Sequence, residues 1–156
     1  MKIIRFSGPF LLLFILALSL LKCKSPLNLN AGIVVPTPSD NPQSDAKIEL
    51  GRKLFFDTRL SIDGTVSCAT CHKPGRAFTD NLTVSEGIKG QHTERNSPSI
   101  LNAAFLKTAM FDAHLETLEL QVIVPIQEKT EMGHNMKDLM KVLRADPAYQ
   151  KAAKEI

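Results

Sequence analysis

Cys68-Ala69-Thr70-Cys71-His72 places two thiols three residues apart and an imidazole directly after the second. This spacing suits covalent attachment of a haem. On one turn of helix the two cysteines can add across the two vinyl groups of the macrocycle, and the adjacent histidine can swing beneath it to give a ring nitrogen to iron. Other chemistries use similar residues. A structural zinc site needs four ligands, usually from two separated pairs, and the third cysteine, Cys23, lies far away near the N-terminus. A thioredoxin-like redox pair wants a βαβ context, which the pattern lacks. A disulfide between Cys68 and Cys71 would leave His72 without a role. Haem attachment uses all three residues.

The elements that must carry this motif read as helices. Ile48, Gly51, Leu54 and Phe55 share one face over residues 45–56. Leu115, Leu118 and Val122 form a second stripe, and Met136, Leu139, Met140 and Leu143 a third. All three are expected to be core faces, so Met136 and Met140 are read first as packing residues. Residues 57–66, 73–96 and 130–135 are irregular, and neither an alternating strand pair nor an internal repeat competes. The expected architecture is an all-α, cytochrome c-like domain with long loops around a cofactor.

The chain has 156 residues, one domain at most. Lys2 and Arg5 precede an apolar run at residues 10–21, the pattern of a secretory signal. The run is short of the roughly 20 residues of a comfortable membrane span, and an uncleaved anchor is the alternative. Leu20-Leu21-Lys22-Cys23 loosely matches the lipobox before an acylated cysteine, with Lys22 where a small residue is usual. Cys23 is thus a candidate lipidation site, which would tether the domain to a membrane surface. The expected divisions are a signal at 1–22, a Pro-, Asn- and Ser-rich lead-in at 23–44 and a haem domain at 45–156, in the periplasm.

The formal net charge is +3, with 19 basic and 16 acidic residues. Loss of Lys2, Arg5 and Lys22 with the signal would balance the two, so nothing points to nucleic acid or an anionic surface as partner. Eight Phe, one Tyr and no Trp make a modest aromatic core. A buried haem would add a large apolar body to it.

Several further segments stand in a telling order: Pro36 to Pro42, then Leu50-Gly51-Arg52-Lys53-Leu54-Phe55-Phe56-Asp57-Thr58-Arg59-Leu60-Ser61, the haem motif, and Phe78-Thr79-Asp80. Arg95-Asn96-Ser97-Pro98-Ser99-Ile100-Leu101-Asn102-Ala103-Ala104-Phe105 and Glu131-Met132-Gly133 follow. In order and spacing they resemble the N-terminal, peroxide-reactive domain of bacterial di-haem cytochrome c peroxidases. That family also includes the di-haem enzyme that matures methylamine dehydrogenase.

The resemblance implies one haem c held by Cys68 and Cys71, with His72 as proximal ligand. Glu131 matches the distal acid that moves a proton between the two oxygens of hydrogen peroxide, and Gln121 matches a polar partner on that side. A carboxylate in an apolar pocket has its pKa raised toward neutrality, as such a role requires. Asn96 matches a residue of a calcium site between two domains. The implied partners are hydrogen peroxide, a donor cytochrome or cupredoxin, and a second-haem domain.

Departures from the pattern carry expectations of their own. The family's distal His position is Ile88 here, with His92 four residues on. Either the loop shifts so that His92 caps the iron, or the site rests open. Phe111 stands where a Trp is common between the haems. A second haem motif does not appear, and the chain ends soon after Asp146-Pro147, where Pro147 reads as the start of a helix. That reads as a truncated or split gene product. Three functions follow: the peroxidatic half of such an enzyme, a mono-haem electron carrier with sulfur from Met110, Met132 or Met136 on iron, or an inactive fragment.

Overall fold

Among the described residues, Ser44 opens the first helix, α1 (Asp45–Phe55), by accepting a hydrogen bond from the Lys47 N–H, and Asp45 and Arg52–Lys53 complement its dipole at the two ends. The computed structural model describes residues 32–110 and 112–156. The expected signal, Cys23 and Phe111 lie outside the described residues. No helix among the described residues is long and apolar enough to cross a membrane.

Five further helices follow: α2 (Cys68–Cys71), α3 (Leu118–Gln121), α4 (Ile123–Gln127), α5 (Met136–Ala145) and α6 (Pro147–Ala153). Each begins at a polar residue or continues its predecessor. Thr117 caps α3, Asn135 caps α5, and Asp146 caps α6 with Pro147 at the first helical position. The intervening chain forms short 3₁₀ turns and isolated bridges, and no strand occurs among the described residues. The fold is all-α with long loops, as the patterning predicted.

The core cluster is Leu60, Val66, Ile88, Ile126, Met132 and Leu139, with Leu54, Met136 and Leu143 packed against it. Four of those six come from loops, so burial fixes the irregular segments as firmly as the helices. Each fully buried aliphatic side chain contributes on the order of 2 kcal/mol. α6 packs on α5 and on α1. There Tyr149 donates to the Asp57 carboxylate at 2.7 Å, while Arg59 pairs with both Asp57 and Asp146.

Two of the expected stripes need correction. Leu115 sits before α3 in a bridge with Ala109, so it never shares a helical face with Leu118 and Val122, and both of these are more than 40% exposed. In α1, Leu54 reaches the core but Ile48 is exposed. The α5 stripe holds through Met136, Leu139 and Leu143, and Met140 lies at its exposed edge. The lead-in is also less free than its composition implied. Asn41 donates to Glu119 of α3 at 2.9 Å and accepts from Lys47 of α1 at 3.1 Å.

Candidate functional site

Ser67 and Thr70 start α2 with a reciprocal capping box, so the four-residue helix is nucleated locally. It sets Cys68 and Cys71 one turn apart, both half-buried and neither in a disulfide. Burial pushes both thiols above their ordinary pKa. A redox or metal-binding pair would instead need its thiolates stabilised.

His72 caps α2. Its Nδ1 lies 3.1 Å from the Phe78 carbonyl oxygen, which can only accept, so Nδ1 carries the proton. Nε2 is left to face a metal, with the ring oriented from behind by that one hydrogen bond. Phe78 is fixed in turn. Its N–H donates to the Lys73 carbonyl at 3.0 Å, and its ring meets Phe55 edge-on.

The segment after the loop supplies apolar surface close by. Ser99 Oγ donates to the Ala77 carbonyl at 2.6 Å, next to Phe78, and Ile100, Leu101, Phe105 and Leu106 follow with exposed side chains. Paired thiols, a histidine with a free Nε2 and neighbouring apolar side chains fit a covalently held haem.

Glu131 lies in the turn between α4 and α5. That turn is bonded on every side. Met132 N–H donates to Pro125, Gly133 N–H to Glu128 and His134 N–H to Ile126, while the Met132 carbonyl accepts from Ile62 and the Glu131 carbonyl from Ile88. The side chain is half-buried, and burial, then the nearby Glu128 charge, raises its pKa above the ordinary carboxylate value. Its charge is felt at the Cys71 thiol, which it helps to raise. One loop joins the two: the Glu86 carbonyl lies 3.9 Å from Cys71 Sγ, and the Ile88 N–H donates to the Glu131 carbonyl. Gln121 ends α3, half-buried, directly before α4 and its Glu131 turn.

The remaining sequence candidates differ in burial and exposure. Ile88 is 3% exposed and points into the core, so no side chain from that position faces outward. His92 is exposed on the far arm of a bridge with Glu86. Asn96 is exposed, and no cluster of three or more His, Cys, Asp or Glu able to hold a metal occurs among the described residues. Met132 and Met136 are committed to the core, and Met110 is exposed in a left-handed turn. Sequence reasoning quoted Asp80 within a motif and gave it no role. Its burial depends on Ser85 and on the loop from Lys73, which no local pattern reveals.

A helical scaffold with this motif defines a c-type haem protein. The chain belongs to the di-haem cytochrome c peroxidase family, whose model matches residues 45–156. It is 40% identical over 115 residues to the methylamine utilization protein MauG of Methylorubrum extorquens, covering 74% of this chain and 33% of that one. It is 39% identical over 108 residues to the cytochrome c551 peroxidase of Pseudomonas aeruginosa, covering 69% and 31%. Among solved structures, a MauG-like protein associated with microbial copper homeostasis superposes with a TM-score of 0.73 at 40% identity, covering 83% of this chain and 40% of that one. The chain spans about a third of the length of the curated relatives it matches. Membership implies haem c as cofactor and an oxidoreductase lineage.

Proposed function

We propose that this chain is the peroxide-reactive unit of a cytochrome c peroxidase. It would take hydrogen peroxide, two electrons and two protons to two molecules of water. Cys68 and Cys71 hold the haem covalently, and His72 Nε2 binds its iron. When bound, the haem supplies the electrons and the metal site at which the O–O bond is reduced. Glu131 accepts a proton from the near oxygen of peroxide and returns it to the far one, so that the far oxygen leaves as water rather than hydroxide. Gln121 orients that exchange by hydrogen bonding. The observation that carries this reading is the half-buried Glu131 carboxyl, raised by burial, on a turn locked to the loop after the haem motif.

The reading places the mature protein in the periplasm, where haem c is attached, with acylated Cys23 as a membrane tether. Its electrons come from a donor cytochrome or cupredoxin, directly or through a second-haem domain. The test is to export the chain with the haem-attachment machinery and measure covalent haem by mass, then peroxide consumption with a chemical reductant. Haem-loaded protein that consumes peroxide no faster than a simple electron-carrying cytochrome c would refute it.

A further inference from the structure

Asp80 is 2% exposed, and Ser85 beside it is fully buried. The Asp80 carboxylate accepts from the Leu82 N–H at 3.0 Å, and the Cys71 thiol lies 3.9 Å from the carbonyl oxygen of Glu86, the residue after Ser85. Ser85 is itself held rigidly. Its hydroxyl lies 2.7 Å from that of Ser97, its N–H donates to Thr93 Oγ1 at 2.8 Å, and Thr79 Oγ1 fastens the Ser97 carbonyl at 2.7 Å. The loop from His72 closes over the group, with Arg76 Nη1 donating to the Asp80 carbonyl at 2.8 Å.

We propose that Asp80, buried just after the Thr79–Lys73 bridge that folds this loop back to the end of the haem-attachment helix, is a fixed negative charge that lowers the reduction potential of the haem carried there. The inference rests on the reading that Cys68, Cys71 and His72 hold the haem. Burial alone would neutralise such a carboxyl. Here the Ser85 and Leu82 hydrogen bonds outweigh that effect and hold it below the ordinary carboxylate value, so it stays ionised at working pH. Its charge already reaches Cys71, where it helps raise the thiol. A negative charge near iron favours the ferric over the ferrous state. Lys73 is the nearby cation that opposes it. Removing Asp80 leaves that cation unbalanced and moves the potential further in the same direction.

The test is a spectroelectrochemical titration of the haem-loaded protein. Asp80→Asn and Asp80→Ser are expected to raise the midpoint potential, by an amount equivalent to about a tenfold change in the ferric-to-ferrous equilibrium. Asp80→Glu should restore the wild-type value. Asp63→Asn, which neutralises an exposed carboxylate, should leave it unchanged. Neutral variants that keep haem at the wild-type potential overturn the proposal. So does failure of both neutral variants to hold haem, which makes Asp80 purely structural. Wild-type protein that carries no haem would instead refute the site assignment itself.

Discussion

The backbone N–H of Ile88 donates to the carbonyl of Glu131 at 2.9 Å, joining the loop after Cys71-His72 to the turn that carries the proposed proton-transfer acid. The approach is close enough to demand glycine on both sides. A Cβ on Gly87 would lie 1.9 Å from the Thr130 carbonyl oxygen. Gly133 has a left-handed φ of 60°, and a Cβ there would meet Ile88 Cδ1 at 2.7 Å. Ile88 therefore serves as a core wedge behind Glu131.

Gly87→Ala should force the two loops apart. Overpacking of this kind costs about 1–3 kcal/mol, read as a lower denaturation midpoint. Peroxide consumption should fall further than haem content does, because the displaced group is the Glu131 turn and not the attachment helix. Gly75→Ala is the control, since a Cβ there meets nothing within 4 Å. Equal losses in the two variants would show that the close approach is unimportant.

Glu131→Gln should slow peroxide consumption by roughly 10²–10⁴-fold, the span of general acid–base contributions. The wild-type rate should fall in mild acid, with its inflection above the ordinary carboxylate range, because the ionised form must accept the proton. The Gln variant should lose that acid limb. Its stability should move the other way. A carboxyl whose folded pKa is raised contributes stability below its unfolded pKa and loses it as pH rises through the folded value. At neutral pH the Gln variant should therefore melt no lower than wild type, and a clear drop in its melting temperature would point to a structural role instead.

Cys68→Ser and Cys71→Ser should each remove one thioether. The double variant should leave no haem on the chain after denaturation, measured by intact mass. Haem retained covalently in the double variant would mean that attachment occurs elsewhere.

Cys68, Cys71 and His72 stand out in the sequence because haem attachment, the chemistry proposed for them, fixes both residue type and spacing within one helical turn. Glu131 was not legible alone. A loop glutamate in sequence looks like a solvated charge, and only the turn's hydrogen bonds to Ile62, Ile88 and α4 show it to be half-buried. Periodicity found α1 and α5 but overreached at Leu115, Leu118 and Val122, since an apolar spacing does not say where a helix begins. Asn41 on Glu119 and Tyr149 on Asp57 are contacts between distant segments, which local patterns do not encode.

The last of these contacts predicts an acid sensitivity. Asp57 is drawn down to about 2 by hydrogen bonds from Arg59 against an opposing effect of burial, with help from the Tyr149 hydroxyl. Its side chain is only 10% exposed, but that of Arg59 is 47% exposed, so solvent screens part of the pairing. A depressed carboxyl contributes stability that is fully present above its unfolded value of 3.8 and is lost as pH falls toward 2. Discounted for that screening, the pairing contributes on the order of 1 kcal/mol. Tyr149→Phe removes one donor but keeps the ring under Lys53 and the packing of α6 on α1. It should cost about 1 kcal/mol at neutral pH and make the acid dependence shallower, because Asp57 then titrates nearer its ordinary value. Tyr149 itself is raised to about 12 by burial and by Asp57. Its contribution is therefore present below its ordinary pKa of 10 and lost as pH rises toward 12, a limb the Phe variant should lack. Melting temperatures of the two proteins measured from acid to alkali decide it: parallel curves would mean that the Asp57–Tyr149 bond does not hold α6 against the rest of the domain.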